Sequence, residues 1–201
     1  MLYVILVILI KLPLLLLLRP KVFGKKENLR IKGGAIFICN HRALMDPVML
    51  ALVSPRLIHF MAKKELFETR LARFLFNSLL VFPVSRKSAD IKSIKKAIAL
   101  LNDGKAFGIF PEGKRAVTDS LDEFEKGAAF LAIRSGAPVI PIYIHPDTSR
   151  QIRPVMLVGK PIDVSSIVAT ANKSSLIDVV TDELSDSIDA LRSELEELYC
   201  R

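Results

Sequence analysis

The sequence predicts an α/β fold: a single domain with a mixed, largely parallel sheet flanked by helices, plus an N-terminal apolar membrane helix. Three observations predict it. Beyond residue 20, apolar runs of strand length alternate with longer stretches of helical periodicity, the order that builds parallel sheets. The 201 residues suffice for one domain with its own core and contain no internal repeat or low-complexity linker. Of residues 1–18, all but Lys11 and Pro13 are apolar.

That N-terminal run comes first. As a helix, its length is about 27 Å at 1.5 Å per residue, close to a bilayer core. Lys11 and Pro13 interrupt it, so a bent or shallow insertion and a helix buried in the core compete with a span. Arg19, Lys21, Lys25, Lys26 and Arg30 follow. By the positive-inside rule they put that side, and the domain behind it, in the cytoplasm. No charged leader region or small-residue cleavage site marks a signal peptide. The chain divides into an anchor, 1–20, and a domain, 21–201.

Within the domain, Ala35-Ile36-Phe37-Ile38-Cys39 reads as a buried strand. Asp46-Pro47 opens a helix over 46–53, because Asp is a good N-cap and Pro fits the first turn. Further strands are expected at 57–61, 80–84, 106–110, 138–144 and 155–159, and helices at 64–79, 88–103, 122–135 and 174–199. Gly104 and Gly136 stop the two helices before them. Pro138 and Pro141 mark 138–144 as an edge or irregular strand. In the helix over 64–79, Leu66, Phe67, Leu71, Phe74, Leu75 and Leu79 share one side, and Lys63, Lys64, Arg70 and Arg73 lie elsewhere around it. This suits a core stripe with a solvated basic face, or a face for a membrane or an acidic carrier protein. The last helix repeats Leu184, Ile188, Leu191, Leu195 and Leu198, for packing on the domain or for a dimer seam.

The charge is +8, and unevenly spread. Residues 162–201 hold nine acids against three bases, net −6, so the remainder carries +14. A basic body attracts anionic headgroups, phosphorylated substrates or acidic carriers. The few aromatics and the lack of a nucleic-acid module exclude nucleic acid as the natural partner. The two cysteines, Cys39 and Cys200, form no disulfide framework, which suits a reducing compartment. The scattered His41, His59 and His145 have no zinc spacing, so no metal is expected.

The chemistry centres on Asn40-His41-Arg42-Ala43-Leu44-Met45-Asp46, between the first strand and helix. A histidine and a carboxylate in one loop can fold onto each other. An imidazole titrates near operating pH, and a carboxylate fixes its tautomer and steadies the imidazolium, which is the minimum needed to deprotonate a hydroxyl. Later in the chain come Val81-Phe82-Pro83-Val84-Ser85-Arg86, Phe110-Pro111-Glu112-Gly113-Lys114-Arg115 and Gly136-Ala137-Pro138-Val139-Ile140-Pro141. Cys39 could be a nucleophile, but its place on an apolar strand buries it. Residues 108–114 also match G-x4-G-K, the nucleotide P-loop. Arg115 stands where a magnesium-binding Ser or Thr belongs, and Pro111 and Glu112 suit a phosphate nest badly.

These four blocks, in this order over about residues 32–160, resemble the bacterial 1-acylglycerol-3-phosphate acyltransferase (lysophosphatidic acid acyltransferase) family, whose motifs include N-H-x4-D and F-P-E-G-x-R. Position 43 is Ala where the family often has Ser, and position 85 is Ser where it often has Asp before the Arg. The resemblance implies a membrane enzyme at the cytoplasmic face. It would move a fatty acyl group from an acyl-carrier protein or coenzyme A thioester to 1-acylglycerol-3-phosphate, giving phosphatidic acid without a further cofactor. It implies catalytic roles for His41 and Asp46. Substrate phosphate would fall to Arg86, Glu112, Gly113 and Arg115, with Lys87 and Lys114 as further candidates. Another lyso-lipid or glycerol-3-phosphate remains an alternative acceptor. From other classes, a non-catalytic membrane-docking protein or a P-loop-type nucleotide enzyme remains.

Overall fold

The computed structural model describes residues 11–85, 90–115, 122–145 and 153–199. Its strands are β1 (Lys21–Gly24), β2 (Ala35–Cys39), β3 (Ile58–Lys63), β4 (Val81–Val84), β5 (Ala106–Ile109), β6 (Val139–Ile144) and β7 (Val155–Val158). Its helices are α1 (residues 11–18), α2 (Asp46–Val53), α3 (Arg70–Ser78), α4 (Ile91–Asn102), α5 (Gly127–Ser135), α6 (Val164–Thr170) and α7 (Leu176–Tyr199). Short 3-10 turns occupy Lys26–Arg30 and Lys64–Phe67.

One sheet runs β1-β7-β6-β2-β5-β3-β4. Neighbours are parallel throughout except β6 and β7. The central strands are apolar on both faces, as a sheet covered on both sides requires. Alternation along β2 divides the core. Ile36 and Ile38 face the layer of α4, α5, α6 and α7, and Ala35, Phe37 and Cys39 face the layer of α1 and α2. On α7, Leu184, Ile188, Leu191 and Leu195 are buried in the first layer, so this stripe packs on the domain.

The expected N-terminal membrane helix requires correction. Among the described residues, no helix is long and apolar enough to cross a membrane. The helical residues 11–18 instead lie on the domain, with Leu14, Leu15 and Leu18 against the α2 layer. The Lys11 ammonium donates to the carbonyls of Ala51 (2.9 Å) and Ser54, closing the C-terminal end of α2. The residue that interrupts the apolar run is thus a fastener between two helices.

Three smaller differences have local causes. The helix expected over 64–79 breaks in two, because the Thr69 hydroxyl accepts the Ala72 amide at 3.1 Å and restarts the chain as α3. β6 is not an edge strand but lies between β7 and β2. Its antiparallel ladder begins at Ile142, so the missing amide of Pro141 falls where that ladder ends. Asp46 does not cap α2, whose N-cap is Met45 without a side-chain bond. Its carboxylate turns back into the preceding loop.

Candidate active site

β2 and β5 are parallel neighbours, and the chain leaves them toward opposite faces: from β2 into α2, and from β5 toward α5. Such a divergence opens a crevice at the carboxyl ends of the strands. The His41 loop and the Glu112 turn flank this crevice.

Asn40 sets the geometry. Fully buried at the end of β2, it donates through Nδ2 to the Ile144 carbonyl (2.9 Å) and accepts the Ile144 amide on Oδ1 (2.8 Å). This two-bond brace to β6 fixes where the loop leaves the sheet. Asp46, also buried, then organises the loop. Its Oδ2 accepts the amides of Arg42 (2.6 Å) and Ala43 (2.7 Å) and lies 3.1 Å from His41 Nδ1. The imidazole is therefore held by Nδ1, leaving Nε2 as the second ring nitrogen on a partly exposed side chain. The Phe110 ring packs 4.4 Å from the imidazole and restricts its rotation.

Glu112 joins the two motifs. Its Oε1 accepts the backbone amide of His41 at 2.9 Å, across 71 residues of sequence. Its Oε2 is buried with no hydrogen-bond partner among the described residues. Burial pushes the Glu112 carboxyl up, and the His41 amide partly offsets this. The turn places Gly113 at φ 65°, the left-handed region, and a Cβ there would press on the Glu125 side chain at 3.0 Å. The Glu125 amide donates to the Pro111 carbonyl (2.7 Å), fastening the next segment beneath the turn. Lys114 pairs with Asp122 at 3.2 Å, and Arg115 is exposed. Arg86 and Lys87 lie outside the described residues.

The structure thus brings His41, Asp46, Glu112 and Gly113 into one cluster, with Lys114 and Arg115 on its outer side. Asn40 and Phe110, quoted in the motifs but given no role from sequence, are its brace and its wall. An Asn between a buried strand and a His is the signal that could have identified the first. Cys39 is fully buried, and burial, with the Asp46 and Glu112 charges, raises its thiol well above the usual range, which disfavours a nucleophilic thiolate. The P-loop match fails on geometry. Gly108 lies within β5, where a Cβ would stand 2.3 Å from the Phe60 ring, and residues 111–115 form turns rather than a helix N-terminus.

A model of the acyltransferase family matches residues 21–145. The 1-acyl-sn-glycerol-3-phosphate acyltransferase of Bacillus subtilis is 31% identical over 184 residues, which cover 89% of this chain and 90% of that protein. The enzyme of the same name from Streptococcus pneumoniae is 32% identical over 139 residues, covering 66% of this chain and 51% of its own. The crystal structure of the 1-acyl-sn-glycerophosphate acyltransferase of Thermotoga maritima matches with a TM-score of 0.66 at 23% identity, over 92% of this chain and 74% of that one. At that identity the likeness speaks for the fold alone. With the family match spanning most of the chain and a full-length relative above 30% identity, the chain belongs to the acyltransferase family, among the 1-acyl-sn-glycerol-3-phosphate acyltransferases.

Proposed function

We propose that residues 21–201 form an acyltransferase domain in which His41 is the general base. The domain moves a fatty acyl group from an acyl-carrier protein or coenzyme A thioester to the free hydroxyl of 1-acylglycerol-3-phosphate, giving phosphatidic acid. The observation that carries the reading is the 3.1 Å contact between His41 Nδ1 and a buried Asp46 carboxylate. With Nδ1–H donated to Asp46, the lone pair is on Nε2. An acceptor hydroxyl at Nε2 gives up its proton as its oxygen attacks the thioester carbonyl. The new C–O bond forms, the tetrahedral oxyanion collapses, and the C–S bond breaks with its electron pair on sulfur. The imidazolium proton then passes to the thiolate. Asp46 steadies the imidazolium between these steps. No enzyme nucleophile is required, in keeping with the buried Cys39.

The acceptor's phosphate falls to the basic side chains at the outer side of the crevice. Arg115 can grip it bidentately, and Gly113 lets backbone approach it. Lys114 is a weaker candidate beside it, and Arg86 and Lys87, outside the described residues, stay candidates on their sequence motif alone. Glu112 supports this site from below, since a carboxylate repels phosphate. Because acceptor and product are lipids, the enzyme works at a membrane surface, and we place it on the cytoplasmic face, where its thiols remain reduced.

His41→Ala tests the reading. Release of free thiol from an acyl thioester in the presence of lysophosphatidic acid should fall by about 10²–10⁴, with an unchanged unfolding temperature. Near-wild-type turnover in a folded variant removes His41 from the mechanism.

A further inference from the structure

No residue of α3 is buried. Leu71, Phe74, Leu75 and Leu79 are 70%, 68%, 50% and 51% exposed, and Leu66 on the preceding turn is 46% exposed. At spacings of three, four and eight, the α3 leucines and Phe74 share one helical face. The packed side is a different one: Ala72 and Phe76 are partly buried, and the Phe76 ring meets Phe67 at 5.0 Å. Arg70, Arg73 and Asn77 form a third, polar stripe, and Lys63 and Lys64 lead into the segment. Adjacent exposed apolar side chains flanked by cations mark a docking surface.

Three observations identify what docks. The first is position. The β2–α2–β3 and β3–α3–β4 crossovers step the same way along the sheet, so right-handed connections put α3 on the same face as α2. The turn leading into α3 follows the carboxyl end of β3, at the sheet edge that holds His41 and the exposed Leu44. The second is charge. The acidic α7 packs in the opposite layer, turning the negative part of the molecule away. The third is chemistry. An acceptor carrying an acyl chain reaches His41 most directly from a lipid phase beside it.

We infer that α3 and the turn before it seat the enzyme on an anionic lipid surface. Leu66, Leu71, Phe74, Leu75 and Leu79 enter among the acyl chains, and Lys63, Lys64 and Arg70 lie at the headgroup phosphates. This rests on the proposed lipid acceptor and adds which surface meets the lipid.

The chain has no tryptophan, so Phe74→Trp supplies a single reporter. Its emission should shift to the blue, and be quenched by brominated lipid, on adding phosphatidylcholine vesicles containing phosphatidylglycerol. Leu198→Trp, on the exposed side of α7, should do neither. In parallel, Leu71→Glu with Phe74→Glu should lower vesicle co-sedimentation about tenfold or more. Transfer to a long-chain acceptor held in vesicles should fall with it, and transfer to a short-chain, water-dispersed acceptor should persist. Unshifted emission from the Phe74→Trp variant while it sediments with vesicles, or full co-sedimentation of the double variant, overturns the inference. Unchanged vesicle binding with loss of a dimer assigns the face to a second copy. Unchanged vesicle binding with a raised KM for acyl-carrier protein alone assigns it to that carrier. Insertion of the Phe74→Trp reporter without transfer to any lyso-acceptor upholds the surface and sinks the proposed function instead.

Discussion

Asp46→Asn isolates the charge of one buried oxygen. Asp46 Oδ2 receives two amide hydrogens, from Arg42 and Ala43, and the contact with His41 Nδ1. An asparagine can put its carbonyl oxygen in the same place and keep both amide bonds, since the side chains are isosteric. What it loses is the negative charge. A hydrogen bond to a charged group contributes about 1.5–3 kcal/mol, against about 0.5–1.5 kcal/mol for a neutral one. The two amides together therefore lose about 2 kcal/mol, and the loop weakens without losing its shape. The larger effect falls on the transition state. The imidazolium formed by deprotonation then faces the carbonyl oxygen of a neutral amide in place of a carboxylate. The expected loss in kcat is about 10²–10⁴, or about 3–5 kcal/mol at 1.36 kcal/mol per tenfold. The assay is thiol release at saturating acceptor, beside a thermal melt of the same sample. A lowered melting temperature with kcat within twofold of wild type would refute the electrostatic role and leave Asp46 as a strut for the loop.

Three further outcomes follow from individual contacts. The folded Glu112 pKa is raised, so its contribution to stability is full below the unfolded carboxyl value and is lost as pH rises through the folded one. The melting temperature of Glu112→Gln relative to wild type should accordingly rise between pH 4 and pH 7, and a flat or falling difference by calorimetry contradicts the burial account. Gly108→Ala puts a Cβ 2.3 Å from the Phe60 ring and should cost about 1–3 kcal/mol by denaturant unfolding, with partial recovery in the Phe60→Leu background; additive effects would show that the two sites do not touch. Arg115→Ala should raise KM for the phosphorylated acceptor roughly 10- to 150-fold while leaving KM for the thioester unchanged, and equal changes in both refute a phosphate contact.

The sequence revealed the elements whose causes are local. Pro47 and the apolar run after it bound α2 at 46–53, and short apolar runs mark β2, β5 and β6. It missed what depends on neighbours. β1 is four residues, Lys21-Val22-Phe23-Gly24, too short and mixed to signal itself, and exists because β7 offers it a parallel edge. Lys11 looked like a flaw in a membrane helix until α2 supplied two carbonyls for it. Pro141 pointed to a sheet edge, because chain order does not reveal that the β7 ladder ends beside it. At the site, His41 and Asp46 are five residues apart and one loop can join them. The bond from the His41 amide to Glu112 needs β2 and β5 to be neighbours, a fact of topology that residue types do not encode. The sequence motif groups Glu112 with the phosphate-site residues and carries no sign of its bond to the His41 amide.

Two buried carboxylates converge on one histidine, and they are compensated unequally. Asp46 has two loop amides and the imidazole. Glu112 accepts the His41 amide on Oε1 and keeps a buried Oε2 without a partner among the described residues, and its carboxyl is the one that burial raises. Positive charge on His41 acts against that rise and so favours ionised Glu112. In the proposed mechanism the acceptor's proton arrives on Nε2, and the imidazolium would meet a carboxylate field that was already in place, with little to reorganise. On that mechanism Glu112 would reach the reaction by two routes: its amide bond holds the His41 backbone, and its charge would lower the cost of the protonated ring. Substitution by Gln removes only the second route. This predicts a lowered kcat in a folded Glu112→Gln variant. An unchanged kcat would leave only the backbone hold.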